Sequence, residues 1–468
     1  MRLNSRPAPG LGKVRRDVAG GKRGDGQKRT RRVRRPDPRT IRAGTPDPAL
    51  TGVAGLIEFG AFCRARGLDH FFRETFGRLK THPGVLYPMH TQLRLLVDAF
   101  VVGEARVFGL ESLAADPLFV HLAGGVVPSI DILYDDLRRF DDAAIVALDE
   151  RVGREGLQGV RTPRWKRVHL DLDTTVEVLF GTQEGALPGP NPRYHGRPSY
   201  HPILARLAET GTFVGAQLRP GNTGFGEADV PYAVTLVRRV RAAVGPTCEI
   251  VVRIDGAGDC LALLAALQAE PNTTFVTKAD LDPPLCAAIT QHRAWRTVDE
   301  DANGMPLVQV AEIDFARGVW TAAEKRFRVV AVRSRERETG KQIYLWADLE
   351  YTVQAFVTDR WGEAEEDGMV RYNDRAGIEP LIGEAKGAWG IGKVPSQDFH
   401  ANHAALLLKL LAHNVFRQFA HQRAPALVRW RTPWLRRVLI LRPGRLSRVG
   451  GRWQLRTRDL GPLAARRE

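Results

Sequence analysis

The most constraining feature of this sequence is the segment from Cys248 to Ile254, Cys-Glu-Ile-Val-Val-Arg-Ile, in which apolar and polar residues do not alternate. A strand with one solvated face alternates, so the lack of alternation here predicts a strand covered on both faces by helices. The segment ends at Asp255-Gly256, with helices predicted before it (Val230 to Val244) and after it (about Asp259 to Gln268). These patterns predict an α/β fold with a carboxylate at the end of a central strand.

The glycine-rich turn after Asp255, Gly256-Ala257-Gly258, has a rival interpretation as a phosphate-binding nucleotide loop. Its glycine spacing is not GxGxxG and no GK[ST] follows, so the nucleotide interpretation is disfavoured. A further short strand is predicted at Thr274 to Thr277.

A second candidate strand, Arg167 to Thr175, alternates cleanly between apolar and polar residues. Val168, Leu170 and Leu172 are predicted on one face, with His169, Asp171 and Asp173 on the other. Two short apolar runs follow, Ile203 to Ala208 and Thr212 to Leu218, and Glu209-Thr210-Gly211 between them predicts a hairpin. Three consecutive strands of one sheet are therefore expected. Taken alone, aspartates on a strand are more often edge or turn residues than catalytic ones.

Near the C-terminal third, Tyr372, Arg375, Glu379 and Lys386 are spaced at offsets of 0, 3, 7 and 14. On one continuous helix they would share a face. Pro380 lacks a backbone N–H, so the helix is either kinked there or begins near Gly377. The simplest interpretation of such a face is an exposed helix with a salt bridge; the alternative is a metal and phosphate site.

The spacing Tyr-x2-Arg-x3-Glu-x6-Lys resembles the signature of a branch of bacterial insertion-sequence transposases of the DDE type, which cut DNA with an RNase H-like domain. The resemblance implies that Glu379 is the last of three catalytic and metal-binding carboxylates. Asp173 and Asp255 resemble the first two, and Asp173 fits better than Asp171 because it adjoins two threonines. Asp171 is then a supporting group. Two Mg²⁺ ions are implied, with Mn²⁺ as the alternative.

The resemblance also implies roles for the other residues of the signature. Arg375 and Lys386 would position the scissile phosphate, and Tyr372 would hydrogen-bond a neighbouring phosphate. The expected reaction is cleavage at the element's terminal repeats and joining of the 3′-OH ends to target DNA, by a homodimer in the synaptic complex. The alternatives are a catalytically silent DNA-binding protein derived from a transposase, and a structure-specific nuclease on the same fold.

The stretch between Asp255 and Glu379 is rich in short apolar runs joined by polar turns. Strands are predicted at Arg296 to Val298, Leu307 to Ile313, Gly318 to Thr321, Phe327 to Val332 and Ile343 to Trp346. It corresponds to the family's β-rich insertion, placed here at about 290–355. Trp320 within it is a candidate for stacking on distorted DNA, with a core position as the alternative.

The charge distribution favours a nucleic-acid partner, because the net charge of +16 is concentrated at the ends. Residues 1–42 hold 15 Lys and Arg against 3 Asp, and residues 417–468 hold 14 Arg against 2 acids, while the middle carries a net charge of −8. Basic ends around an acidic centre suit DNA phosphates flanking a carboxylate site. The rival explanations are an Arg-rich host proteome or RNA binding.

The domain organisation follows from these shifts in composition. We predict a basic disordered tail (1–50), an all-helical DNA-binding domain (51–160), an RNase H-like catalytic domain (161–420) and a basic C-terminal segment (421–468) ending in a hairpin formed by Val438 to Leu441 and Arg452 to Leu455. In the helical domain, Ser129 is a candidate N-cap for a helix with Ile132, Leu133, Leu137 and Phe140 on its core face. Its Tyr134, Arg138 and Arg139 either read DNA in a major groove or form a solvated face.

Other features exclude several classes of protein. Cys63, Cys248, Cys260 and Cys286 contain no CxxC pair, which argues against a disulfide framework or a zinc knuckle. On a strongly apolar helix predicted from Asp398 to Phe419, His400, His403 and His413 are expected to be core or capping residues because no HExxH motif is present. No apolar run approaches a membrane span, so the expected location is cytoplasmic and nucleoid-associated.

Overall fold

The computed structural model describes residues 37–38, 41–42, 44–160, 165–189, 194–335, 351–365 and 373–457. Most of the predicted basic tail, the predicted strand Ile343 to Trp346 and Tyr372 lie outside these residues. The chain divides into two compact units, Met1–Asp47 and Pro48–Glu468, and the elements below belong to the second.

The helices of the described residues are α1 Leu56–Ala65, α2 Leu68–Phe76, α3 Met89–Val102, α4 Leu110–Leu113, α5 Pro117–Leu122, α6 Ile130–Leu137, α7 Asp142–Gly156, α8 Val230–Val244, α9 Leu261–Ala269, α10 Pro283–Gln291, α11 Gly318–Ala322, α12 Ile378–Ala388, α13 Phe399–Arg423 and α14 Thr432–Leu439. The strands are β1 Leu50–Thr51, β2 Arg167–Thr174, β3 Glu177–Val178, β4 Leu187–Pro188, β5 Pro198–Tyr200, β6 Ile203–Leu207, β7 Thr212–Gln217, β8 Glu249–Ile254, β9 Thr273–Lys278, β10 Arg296–Glu300, β11 Pro306–Ile313, β12 Arg328–Ser334, β13 Thr352–Thr358, β14 Gly444–Val449 and β15 Arg452–Thr457.

Helices α1 to α7 form where the sequence has helical periodicity, and side-chain caps define two of their starts. Asp116 accepts hydrogen bonds from the first turn of α5, and Asp141 does the same for α7. The apolar faces of α3 and α7 pack in one core with α13. The N-terminal helices are therefore one layer of a compact unit that also contains the sheet.

The central sheet has nine strands in the order β10-β11-β12-β13-β9-β8-β2-β6-β7. Strands β2, β8 and β9 are parallel to one another, with β8 between the other two. All other neighbouring pairs in this sheet are antiparallel. Every residue of β8 from Ile250 to Ile254 is buried, as the lack of alternation predicts. The mixed α/β architecture and the order of the three strands β2, β6 and β7 are confirmed.

Strands β10 to β13 continue the central sheet as an antiparallel extension from β9. One predicted strand in this stretch, Gly318 to Thr321, is wrong because these residues form α11. The helix buries Trp320 to 1% exposure against Phe315 and Phe327, whose ring centroids lie 6.3 and 5.1 Å away. Burial of this one large side chain outweighs the local strand preference. The stacking role for Trp320 is therefore wrong, and the core position is right.

The C-terminal elements correct a second prediction. Val438 to Leu441 is not a strand, because α14 runs through Leu439. The hairpin is formed by β14 and β15, and Gly450 and Gly451 at its tip have φ angles of 56° and 76°, which favour glycine. Strand β1 pairs with β14 to complete a small separate sheet.

Candidate active site

The two aspartates of the predicted site lie side by side at one edge of the sheet. Strands β2 and β8 are parallel, and Leu172 is in register with Ile254. The next residues, Asp173 and Asp255, therefore leave the carboxyl ends of adjacent strands together. The Asp173 side chain is only 12% exposed, whereas that of Asp255 is 56% exposed. The edge thus combines one largely shielded and one accessible carboxylate.

The segment before α12 brings a cation to this pair. A 3-10 turn from Asp374 to Gly377 leads into α12, and Arg375 on this turn is 6% exposed. Its Nη2 atom lies 3.0 Å from Asp173 Oδ1 and 3.7 Å from Asp255 Oδ2. The guanidinium therefore bridges the two carboxylates.

The start of α12 decides between the two geometries left open by Pro380. The helix begins at Ile378, so the proline lies in its first turn, where a missing N–H is tolerated. Glu379 occupies the same first turn and is exposed. A carboxylate is favourable there because the helix N-terminus carries partial positive charge.

The electrostatics of Asp173 show that the three carboxylates act on one another. The pKa of Asp173 is raised to about 6, chiefly by burial and to a smaller extent by the negative charges of Asp255 and Glu379, against the opposing effect of Arg375. Arg375 alone therefore does not offset the combined effect of burial and the neighbouring carboxylates. Such a site gains stability from additional cations.

The chemistry of these residues suits a divalent metal ion, since carboxylate oxygens are the ligands that Mg²⁺ and Mn²⁺ prefer. Within the described part of the chain, however, no three His, Cys, Asp or Glu side chains are grouped closely enough to form a ready metal site. The Arg375 guanidinium lies between the two aspartates, where they would share a cation. The three carboxylates fit a divalent ion chemically, but they would have to move closer together to bind it.

Lys386 lies two turns along α12 from Glu379 and connects the helix to the chain that follows β2. Its Nζ atom donates a hydrogen bond of 2.9 Å to the Val176 carbonyl and lies 3.3 Å from Glu177 Oε1. Glu177 is itself only 12% exposed. Lys386 thus holds α12 against the segment that carries Asp173.

Asp171 does not belong to the carboxylate edge. It is fully buried, and its carboxylate lies 2.5 Å from Arg253 Nε and 3.1 Å from Arg206 Nη1. The three residues are in register on β8, β2 and β6. A Cβ atom at Gly377 would lie 2.8 Å from Arg206, so this ionic layer supports the turn before α12.

The sequence alone did not indicate the ion pairs of Arg253 and Arg206 with Asp171, or that of Glu177 with Lys386. A signal was available for Arg253, because an arginine inside a doubly covered strand requires a buried partner. Nothing local pointed to Glu177, which acquires its role from Lys386, 209 positions later.

The helix proposed to read DNA, α6, has local partners for its arginines. Arg138 pairs with Asp135 at 2.9 Å, and Arg139 lies 3.3 Å from Asp136. Tyr134 is half-buried and packs against the core. The face of α6 therefore carries nearly balanced charge, and its contact with DNA stays a prediction.

The histidines of α13 are structural, as expected. His403 Nε2 accepts a hydrogen bond from the Leu218 N–H, and His413 is buried against Phe213 and Trp389. Burial lowers the pKa of both to about 4, so both are neutral at physiological pH. His400 instead pairs with Asp142 at 2.9 Å.

Comparisons with known proteins give a matching family and a similar solved structure. The family model described as "Transposase DDE domain group 1" matches residues 36–460. None of the curated proteins matches the chain. Among solved structures, a cryo-EM structure of the piggyBac transposase synaptic complex with hairpin DNA is similar, with 13% sequence identity and a TM-score of 0.43 over 82% of this chain and 78% of that chain.

Proposed function

Because the chain belongs to the family described as transposase DDE domain group 1, we propose that it binds the ends of an insertion sequence, cleaves the DNA and joins the 3′-OH ends to target DNA. The observation that carries the proposal is the meeting of Asp173 and Asp255 at the ends of adjacent parallel strands, with Glu379 close enough to raise the pKa of Asp173. We further propose that the catalytic domain is RNase H-like.

In this mechanism, Asp173, Asp255 and Glu379 would hold two divalent cations. The bound ions would supply Lewis-acid activation of the attacking oxygen and stabilise the leaving oxygen. Asp255 and Glu379 are accessible from solvent, so they would meet an incoming phosphodiester first. Asp173, which is less exposed than either, would anchor the site to the sheet.

Arg375 would have two partners in turn. Without DNA its guanidinium neutralises Asp173 and Asp255. When cations hold the carboxylates, the same guanidinium is placed to take a phosphate oxygen, because arginine binds carboxylate and phosphate with similar geometry. Lys386 would act mainly by holding α12 in place, and Tyr372 would contact a neighbouring phosphate.

The test uses the purified full chain with a linear duplex carrying the inverted repeats that flank its reading frame, in Mg²⁺. We expect Asp173→Asn, Asp255→Asn and Glu379→Gln each to abolish cleavage and joining while end binding persists. Glu227→Gln is the matched control, since Glu227 is also an exposed glutamate in the first turn of a helix. It should leave both steps unchanged.

Each alternative predicts a different outcome. Binding without cleavage by the unaltered chain would indicate a silent DNA-binding protein, and cleavage without joining would indicate a nuclease. Retention of cleavage by all three variants would overturn the proposed site.

A further inference from the structure

Glu177 is a largely buried carboxylate that lies just beyond the proposed catalytic aspartate of β2. It begins β3, four residues after Asp173, and its side chain is only 12% exposed. Burial raises the pKa of its carboxyl, and the positive charges of three lysines oppose that rise, namely Lys386, Lys409 and Lys393. Because a buried carboxylate is costly without cations around it, these lysines compensate the charge of Glu177.

The first of these lysines shares a helix face with Glu379. Lys386 follows Glu379 by seven residues, which is about two turns, so both side chains lie on the same face of α12, about 10 Å apart along its axis. At one end of this face the Glu379 charge acts on Asp173, and at the other end Lys386 Nζ lies 3.3 Å from Glu177 Oε1. The face of α12 that carries Glu379 therefore lies alongside the segment from Asp173 to Glu177, which can span at most about 14 Å.

The loop that follows α12 is attached to the same carboxylate. A Cβ atom at Gly392 would overlap Glu177 Oε2, so the backbone of this loop packs directly against the carboxylate. Lys409 on α13 is 2% exposed, and its Nζ donates hydrogen bonds of 2.7 Å to the carbonyls of Gly390 and Lys393. The loop is therefore held by Glu177 and by Lys409.

Glu177 thus joins the segment that carries Asp173 to the helix that carries Glu379. The three proposed metal ligands come from separate segments and would have to move closer together around an ion. Affinity for a metal depends on how firmly its ligands are held before the ion binds, and removing a group that orients a ligand costs roughly 10–100-fold in affinity. Holding α12 against the Asp173 segment reduces the movement that Glu379 must make.

We propose that Glu177 is a positioning residue for the proposed metal site. By holding α12 and the loop that follows it, Glu177 sets the position of Glu379 relative to Asp173 and so the affinity for divalent cations. Glu177 itself binds neither the metal ion nor the DNA. This inference rests on the proposed function only in taking Asp173, Asp255 and Glu379 as metal ligands.

The experiment measures binding of Mn²⁺ to the purified full chain by electron paramagnetic resonance, counting the binding that Asp173→Asn removes. Glu177→Gln keeps the shape of the side chain and removes its charge, and we expect the dissociation constant for Mn²⁺ to rise about tenfold or more. Glu155→Gln is the matched control, because Glu155 is also a buried glutamate with two cationic partners, Arg66 and Arg151. It should lower the stability of the fold and leave Mn²⁺ affinity unchanged.

A second variant reaches the same carboxylate without removing its charge. Gly392→Ala places a Cβ atom against Glu177 Oε2 and should displace the carboxylate, so we expect Mn²⁺ affinity to fall by a similar factor. Gly387→Ala, near the end of α12, is its control, because a Cβ atom there would meet nothing within 4 Å. Circular dichroism establishes which variants are folded, and Gly392→Ala decides the question if Glu177→Gln does not fold.

Unchanged Mn²⁺ affinity in folded Glu177→Gln would overturn the proposal, as would an equal loss in Glu155→Gln or the absence of any Mn²⁺ binding that depends on Asp173. The result is separable from the proposed function. If Glu177→Gln weakens Mn²⁺ binding although the unaltered chain never cleaves DNA, only the enzymatic proposal fails. If the chain cleaves element ends and Mn²⁺ affinity does not change in the variant, only the positioning proposal fails.

Discussion

The Nε atom of Arg253 donates a 2.5 Å hydrogen bond to Asp171 Oδ1 at the centre of the sheet, where the two side chains are 2% and 0% exposed. Arg206 completes the layer from the other neighbouring strand. One buried and one half-buried arginine thus share the Asp171 carboxylate, two residues from the proposed catalytic Asp173.

We expect Asp171→Asn to destabilise the fold by roughly 3–5 kcal/mol, because it removes the buried negative charge that Arg253 and Arg206 share. Urea denaturation measures the loss. The DNA cleavage activity of Asp171→Asn should fall in proportion to the fraction of folded protein. Under conditions in which the variant is fully folded, its activity should match that of the unaltered chain. If Asp171→Asn unfolds like the unaltered chain yet cannot cleave DNA while Asp173→Asn can, the catalytic aspartate on β2 has been misassigned by two residues.

The pKa of Asp173 predicts an unusual pH dependence. The folded-state pKa is about 6, above the ordinary value of 3.8 for an aspartate, so the folded chain holds the proton more tightly. The free energy of unfolding should therefore fall as pH rises from about 4 to 6, and the ionised group should cost roughly 3 kcal/mol above that window.

Asp173→Asn should consequently stabilise the metal-free chain at pH 8 and have little effect at pH 4. Thermal denaturation in EDTA at the two pH values tests this difference. Added Mg²⁺ should stabilise the unaltered chain at pH 8 more than the variant. A variant less stable than the unaltered chain at pH 8 would contradict the electrostatic account of the site.

Trp320→Ala should act through stability alone. The ring is enclosed by Phe315 and Phe327, with the Arg317 guanidinium 5.5 Å from its centre. Removing such a side chain costs roughly 3–5 kcal/mol. Trp361→Ala, at a residue 51% exposed, should cost much less. A Trp320→Ala protein of normal stability with defective DNA processing would restore the stacking hypothesis.

Deleting residues 1–42 should flatten the salt dependence of DNA binding, because the segment holds 15 basic residues against 3 acidic ones. Fewer counterions are then released from the duplex on binding. The slope of log K against log salt is the measurement. An identical slope with and without the segment would show that it does not contact DNA.

The sequence by itself determined the elements whose signals are local. The lack of alternation from Cys248 to Ile254 predicted β8, the alternation from Arg167 predicted β2 and its two faces, and the helix Val230–Val244 was predicted at its observed bounds. It also predicted that Asp173 and Asp255 end their strands. Hydrophobic periodicity and turn-forming residues act over a few positions, so they predict local structure without knowledge of which distant segments pack nearby.

Tertiary structure decided whatever depends on a distant partner. The strands after β9 proved to extend the central sheet, because antiparallel pairing of β13 with β9 joins residues about 80 positions apart. The same reason separates Asp171 from Asp173, which look alike on one strand face. Asp171 meets Arg206 and Arg253, whereas Asp173 meets Arg375, 202 residues later. Helix α11 formed against local preference because Trp320 is buried in a core that also contains Phe275 and Leu285 from other elements, and no short window of sequence contains all of these residues.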